Sequence, residues 1–153
     1  MTKSKISALE RDAWRGFRRM SEIASGRVAQ QITQATGLSA ADFGVLMQLD
    51  EAQDGVRRQR ELQAFLEWDK TRLSHQLTRM AGRGLIERES GEGNAVNIRM
   101  TEEGRRQLAV ARPVHIESIR KYFLDHLTTE DLESLQVITL KLRNALIDSA
   151  AKL

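Results

Sequence analysis

The chain has 153 residues, 41% of them hydrophobic and 29% charged, with 24 Lys plus Arg against 21 Asp plus Glu and a formal net charge of +3. That length suits one compact domain or one lobe with helical extensions, and the composition excludes a disordered chain. The absence of cysteine excludes disulfides, thiolate metal sites and a peroxide-sensing thiol.

No apolar run approaches the ~20 residues that span a bilayer. The start, Met1 to Ser7, lacks the apolar stretch of a secretory signal, so a soluble cytoplasmic protein with no membrane partner is expected. Residues 6 to about 35 read as one long helix, because Ile6, Leu9, Ala13, Phe17, Met20, Ala24 and Val28 recur every three or four positions. Gly37 ends it, and Ser39 with Asp42 three positions later opens a second helix whose buried stripe is Phe43, Leu46 and Met47. Asp54-Gly55 marks a turn. A short, poorly capped third helix covers about 60–66, and Asp69 caps a fourth that runs to about Gly82.

The period then changes. Residues 85–89 and 95–100 are short strands, with Val96, Ile98 and Met100 alternating with polar residues, and Ser90 to Asn94 forms the hairpin tip between them. Thr101 caps a fifth helix carrying Leu108, Ile116, Ile119 and Phe123. Thr128 with Asp131 caps a sixth, with its stripe at Leu132, Leu135, Ile138, Leu142 and Leu146. The apolar stripes of the first and last helices exceed what one small lobe can bury, which predicts a homodimer.

Charge is distributed unevenly. Residues 36–56 carry four acids and no base, whereas residues 57–83 carry seven bases against three acids. A basic block in a nearly neutral protein suits a local anionic partner, although a solvated helix face is the simpler account of charge alone. The fourth helix, taken with the helix before it and the hairpin after it, favours the partner. Arg72, His75, Gln76 and Arg79 recur at helical spacing and are expected to face outward, with Leu73, Leu77 and Met80 inward. Arg can donate two bonds to guanine and Gln can pair with adenine, while Lys70, Thr71 and Ser74 suit phosphates. A short helix, a turn, this helix and a hairpin make a winged helix-turn-helix, whose second helix enters the major groove of double-stranded DNA.

The run Asp69 to Met80, followed by Arg83-Gly84-Leu85-Ile86-Glu87-Arg88, resembles the recognition helix and first wing strand of MarR-type regulators (multiple antibiotic resistance regulators). Met100 to Arg105 resembles the junction after their wing, and the long first helix and two terminal helices fit in order and length. The resemblance implies a mainly α fold: a winged helix-turn-helix with a two-stranded wing, joined to a helical dimerisation lobe. It divides the chain into a dimerisation helix at 1–37, a DNA-binding lobe at 38–104 and dimerisation helices at 105–153. The implied function is that of a sequence-specific DNA-binding transcriptional regulator, a ligand-responsive repressor acting as a homodimer on a near-palindromic operator.

Carried onto this chain, the DNA-facing set is Lys70, Thr71, Arg72, Ser74, His75, Gln76 and Arg79, with Arg88 as a phosphate contact. Two departures stand out. The wing tip, Gly91-Glu92-Gly93-Asn94, has one acid and no base, so Arg88 and Arg99 at the wing's base are expected to matter more. The third helix opens on Gln59-Arg60, where Arg57, Arg58 and Arg60 add charge, and Arg58 joins the DNA-facing set.

The resemblance also implies a small aromatic or anionic effector. Trp14, Phe17, Phe43, Met47, Phe65 and Trp68 are candidates to line its pocket, with Arg15 to hold a carboxylate; ordinary core packing is the favoured account of any one of them. No metal or cofactor is expected, because His115 and His126 would lie about 16 Å apart on one unbroken helix. Nor is an enzyme: there is no nucleotide loop, zinc-protease run or nucleophile elbow. The rival reading is a winged-helix protein-interaction module, with the acidic 36–56 segment as a counter-surface.

Overall fold

The computed structural model describes residues 5–150. Helix α1, Ala8–Thr36, starts at a reciprocal cap: the Ser7 hydroxyl accepts from the Glu10 N–H at 3.2 Å and the Glu10 carboxylate accepts from the Ser7 N–H at 2.7 Å. It ends at Gly37, whose φ of +77° lets its N–H reach back to the Thr33 carbonyl. Helix α2, Ala40–Asp50, opens on the same kind of cap between Ser39 and Asp42. Strand β1, Val56–Arg58, runs directly into α3, Gln59–Leu66. The entry to α3 has only half a cap, the Glu61 carboxylate accepting from the Arg58 N–H at 3.3 Å. Helix α4, Lys70–Gly82, is capped by Asp69, whose carboxylate accepts from the Arg72 N–H at 2.8 Å.

Strands β2, Ile86–Ser90, and β3, Val96–Met100, form the expected hairpin, but the wing is three-stranded rather than two-stranded. Strand β1 pairs antiparallel with the far edge of β3, Val56 opposite Arg99 and Arg58 opposite Asn97, giving the order β1-β3-β2. Three residues are too few for period-two alternation to register in the sequence. Ile98 and Met100 are buried as their alternation requires, while Val96 lies exposed toward the tip.

Thr101 caps α5, Glu102–Tyr122, and the cap of α6, Thr129–Ala150, is the expected Thr128–Asp131 pair. Gly104 in the first turn of α5 is held against the loop after α4: a Cβ there would sit 2.3 Å from the Leu85 carbonyl oxygen. No other residue fits without backbone movement.

One core joins these elements. Leu46 and Leu49 of α2, Leu62 of α3, Leu73, Leu77 and Met80 of α4 and Ile86 and Ile98 of the sheet are all fully buried. Helix α5 packs mainly on α1. The outer faces of the long helices remain uncovered in the single chain. Leu9 is 80% exposed, Trp14 61% and Val137 66%, and Ile6, Ile23, Ile116 and Leu142 are more than half exposed. Ile116 therefore lies outside the core that its spacing placed it in. Among the described residues no helix is long and apolar enough to cross a membrane.

Candidate nucleic-acid interface

At about 100° per residue, the exposed arc of α4 is centred on Thr71, His75, Thr78 and Arg79, with Arg72 at one edge. Lys70 is exposed at the helix's first turn and Ser74 is half-buried. Arg72 does not hang free: its guanidinium lies 4.2 Å over the Trp68 ring, a cation–π contact that aims it along the helix's open side. Trp68 is thus a platform beneath the interface, half-buried against the core.

Gln76 corrects the expectation. It is only 3% exposed and turns inward, because its position falls about 40° from Met80 and 60° from Leu73, within the buried arc. Its amide nitrogen donates to Asp42 Oδ1 at 2.6 Å, and its amide oxygen accepts from the Arg79 guanidinium at 2.6 Å. Both polar ends are taken by protein, so it has no free edge to offer a base.

The wing arginines are committed as well. Arg88 donates to the Thr78 hydroxyl at 3.1 Å and to the Ser74 carbonyl at 3.0 Å, fastening β2 to α4 while staying exposed. Arg99 is paired with Glu89 through two bonds of 2.5 and 3.1 Å, which neutralises the charge expected to act at the wing's base. That pairing raises the Arg99 pKa and holds Glu89 below the usual carboxylate range. Arg57 donates to the Gln48 carbonyl and stacks 4.3 Å over Phe65, so it too has partners within the protein. Arg58 and Arg60 are different: with Lys70 they line a groove of about 480 Å³ between α3, α4 and the wing, whose far wall is Glu92, Asn94 and Val96. Basic side chains at three corners of one groove suit a phosphate backbone. Thr78, which sequence reasoning left out of the face, lies near the middle of the exposed arc, with its hydroxyl bonded to the Ser74 carbonyl and to Arg88.

A family model described as MarR family matches residues 36–95, spanning α2 to the wing. The fold agrees over nearly the whole chain with AbsC, a MarR family transcriptional regulator from Streptomyces coelicolor, at TM-score 0.90 and 28% identity, covering 95% of this chain and 99% of that one. The chain is thus similar to MarR family regulators, in sequence over residues 36–95 and in fold over nearly its whole length. Sco3205, a MarR family transcriptional regulator from Streptomyces coelicolor solved in complex with DNA, matches at TM-score 0.89 and 25% identity over 93% of this chain and 94% of its own. A MarR mutant from E. coli complexed with operator DNA shares the fold at TM-score 0.70 and 18% identity, over 86% and 96% of the two chains. No curated protein matches the chain in sequence.

The chain also has an open apolar pocket of about 460 Å³ lined by α1, α2, α5 and α6. Phe17 and Phe43 line it as expected, together with Ala24, His115, Phe123 and Leu135. Trp14, Arg15, Met47, Phe65 and Trp68 do not. Trp14 sits beside Phe17 with ring centroids 6.1 Å apart but faces outward, Arg15 is exposed, and Met47 packs on the core. Helix periodicity puts Arg15 on the outer arc of α1, two positions from Phe17, so it cannot clamp a carboxylate in the cavity. Among the described residues no arginine or lysine lines the space; its polar groups are Ser21, Ser25, Thr139 and His115. The His115 ring lies 4.8 Å from that of Phe43, and burial lowers its pKa, favouring the neutral imidazole. Among the described residues no three His, Cys, Asp or Glu side chains gather as a metal site would need.

Proposed function

We propose that the chain is a homodimeric DNA-binding regulator that reads a near-palindromic operator, one half-site per protomer, and responds to a small neutral aromatic ligand. The observation that carries the DNA reading is the exposed arc of α4, where Lys70, Thr71, Arg72, His75 and Arg79 lie beside the Arg58–Arg60 groove with the wing as a second wall. Arg72 and Arg79 supply base-reading guanidinium groups, and Lys70, Thr71, Arg58 and Arg60 supply phosphate contacts. Ser74 and Arg88 act behind this face, joining helix to wing. Sco3205, which shares this fold, was solved in complex with DNA, which supports DNA as the partner.

Dimerisation is the natural cover for the apolar faces of α1, α5 and α6, since a small monomer rarely leaves so much exposed. A two-fold dimer sets the recognition helices one DNA turn apart, roughly 34 Å. The cavity lies between those faces and α2, and its lining favours an aromatic molecule without a formal charge over an anion. A ligand there shifts the population toward helix spacings that do not match DNA only if it binds those states better. A repressor released by its ligand is the simplest such device.

The test is selection from a random-sequence duplex pool at low salt, with sedimentation alongside. Enrichment of a two-fold symmetric motif, affinity that falls steeply with salt, and loss of retention on Arg79→Glu are the expected results. A chain that enriches no motif, or sediments as a monomer at micromolar concentration, refutes the reading.

A further inference from the structure

Arg79 reaches the surface of α4 from a buried polar chain that begins in another helix. Asp42 is 2% exposed. One of its oxygens, Oδ2, accepts from the Ser39 N–H at 2.8 Å and from Arg83 at 2.6 Å; the other accepts from the Gln76 amide at 2.6 Å. The Gln76 amide oxygen then accepts from the Arg79 guanidinium at 2.6 Å. Arg83 makes a second bond, to the Gly37 carbonyl at 3.2 Å. Only one orientation of the Gln76 amide satisfies both neighbours, because flipping it would set its oxygen against a carboxylate and its nitrogen against a guanidinium. The carboxylate therefore fixes the amide, and the amide fixes which of the guanidinium's N–H groups remain for an outside partner.

We propose that Asp42 and Gln76 are positioning residues for sequence recognition: buried and out of reach of DNA, they set the aim of Arg79 through the chain Asp42–Gln76–Arg79. This rests on the reading of the α4 face as the DNA-reading surface. A guanidinium has five donors and one plane, and bidentate contact with a guanine edge requires two of them in a fixed orientation. Arg79 tethered at one nitrogen has that orientation before DNA arrives; released from Gln76, it samples many rotamers and must be ordered on binding. The loss is expected in discrimination between sequences, since a wandering guanidinium still neutralises phosphates.

The experiment uses the full chain, the duplex that the wild type enriches from a random pool, and a scrambled duplex of the same length. Gln76→Leu keeps the buried volume and removes both bonds; Asp42→Asn keeps the shape and removes the charge that fixes the amide. Gln76→Leu is expected to lower the ratio of selected to scrambled affinity by roughly tenfold, with scrambled affinity within about twofold of wild type. In an Arg79→Ala background the same substitution is expected to change the ratio by less than about twofold, because its effect passes through that side chain. Asp42→Asn should reproduce a smaller loss of the same pattern.

An equal loss with and without Arg79, or a parallel loss on both duplexes, would overturn the positioning role. So would wild-type discrimination in both Gln76→Leu and Asp42→Asn, each confirmed as folded by thermal melting. Failure of the wild-type chain to select any sequence would instead refute the DNA reading itself, and the relay with it.

Discussion

Replacing Asp42 by alanine exposes how much of the fold's stability one buried carboxylate carries. Three groups lose an acceptor: the Ser39 N–H at the start of α2, the Gln76 amide and the Arg83 guanidinium. The cap bond is worth about 1 kcal/mol. Gln76, at 3% exposure, cannot turn to water, and an unsatisfied buried amide costs about 1–3 kcal/mol. Arg83 is 44% exposed on its side chain and regains solvent, so its share is discounted to about 0–1 kcal/mol.

The expected loss is then about 3 kcal/mol, or roughly 6–12 °C in Tm for a chain of this size. Urea or thermal unfolding at one fixed protein concentration measures it, because subunit association would otherwise move the midpoint. A second variant isolates the amide. Adding Gln76→Leu to Asp42→Ala removes the stranded group, and the double-mutant cycle should show about 1–2 kcal/mol of favourable coupling. A loss below about 1 kcal/mol for Asp42→Ala, or additive effects in the cycle, would mean that water reaches this site and the network is not what holds α2 to α4.

Acid should reveal the same carboxylate. Burial pushes the Asp42 pKa up, but the bonds from Ser39 and Arg83 outweigh burial and hold it below its ordinary 3.8. A lowered folded pKa contributes stability that is full above the ordinary value and lost as pH falls through the folded one. Thermal melts between pH 2 and 6 should therefore converge for wild type and Asp42→Asn at the acid end, and parallel curves would contradict the assignment. The His115 ring, lowered by burial beside Phe43, should show an NMR titration midpoint under 6.5, with no such depression if water fills the cavity. Gly104→Ala, with its new Cβ against the Leu85 carbonyl, should destabilise by about 3 kcal/mol in a urea melt; a loss within 0.5 kcal/mol, roughly the scatter of a neutral surface change, would mean that the backbone there yields freely.

Periodicity and caps carried most of the fold into view. Ser39–Asp42, Asp69, Thr101 and Thr128 each cap the helix that their spacing announces, because caps are local contacts between residues three apart. Strand β1 was hidden because its three residues form a strand only by pairing with Arg99 to Asn97, some forty positions on. The site was legible to the same degree. Helix α4 was identifiable, but its exposed arc was drawn too wide, and Gln76, only about 40° around the helix from buried Met80, was counted with the exposed residues. The second partners of Asp42 lie 34 and 41 positions away, at Gln76 and Arg83. A capping aspartate that also anchors a distant helix looks, in sequence, like any other capping aspartate.

That double duty places two surfaces on one turn of backbone. Ala40 and Phe43 of α2 face the apolar cavity, while Asp42 between them faces α4 and holds Gln76 and Arg83. This one turn of α2 thus touches the proposed ligand space on one side and the proposed DNA-reading helix on the other. Close-packed interiors do not deform continuously, so a ligand that displaces the Phe43 ring must either leave the first turn of α2 in place or carry Asp42 with it. In the second case the bonds to Gln76 and Arg83 break or follow, and Arg79 loses its tether. On the proposed reading, a ligand then weakens recognition in two ways at once: by the spacing of the two recognition helices in the dimer, and by the freedom of a guanidinium within each. The two are separable, since only the second disappears when Gln76 is replaced by leucine.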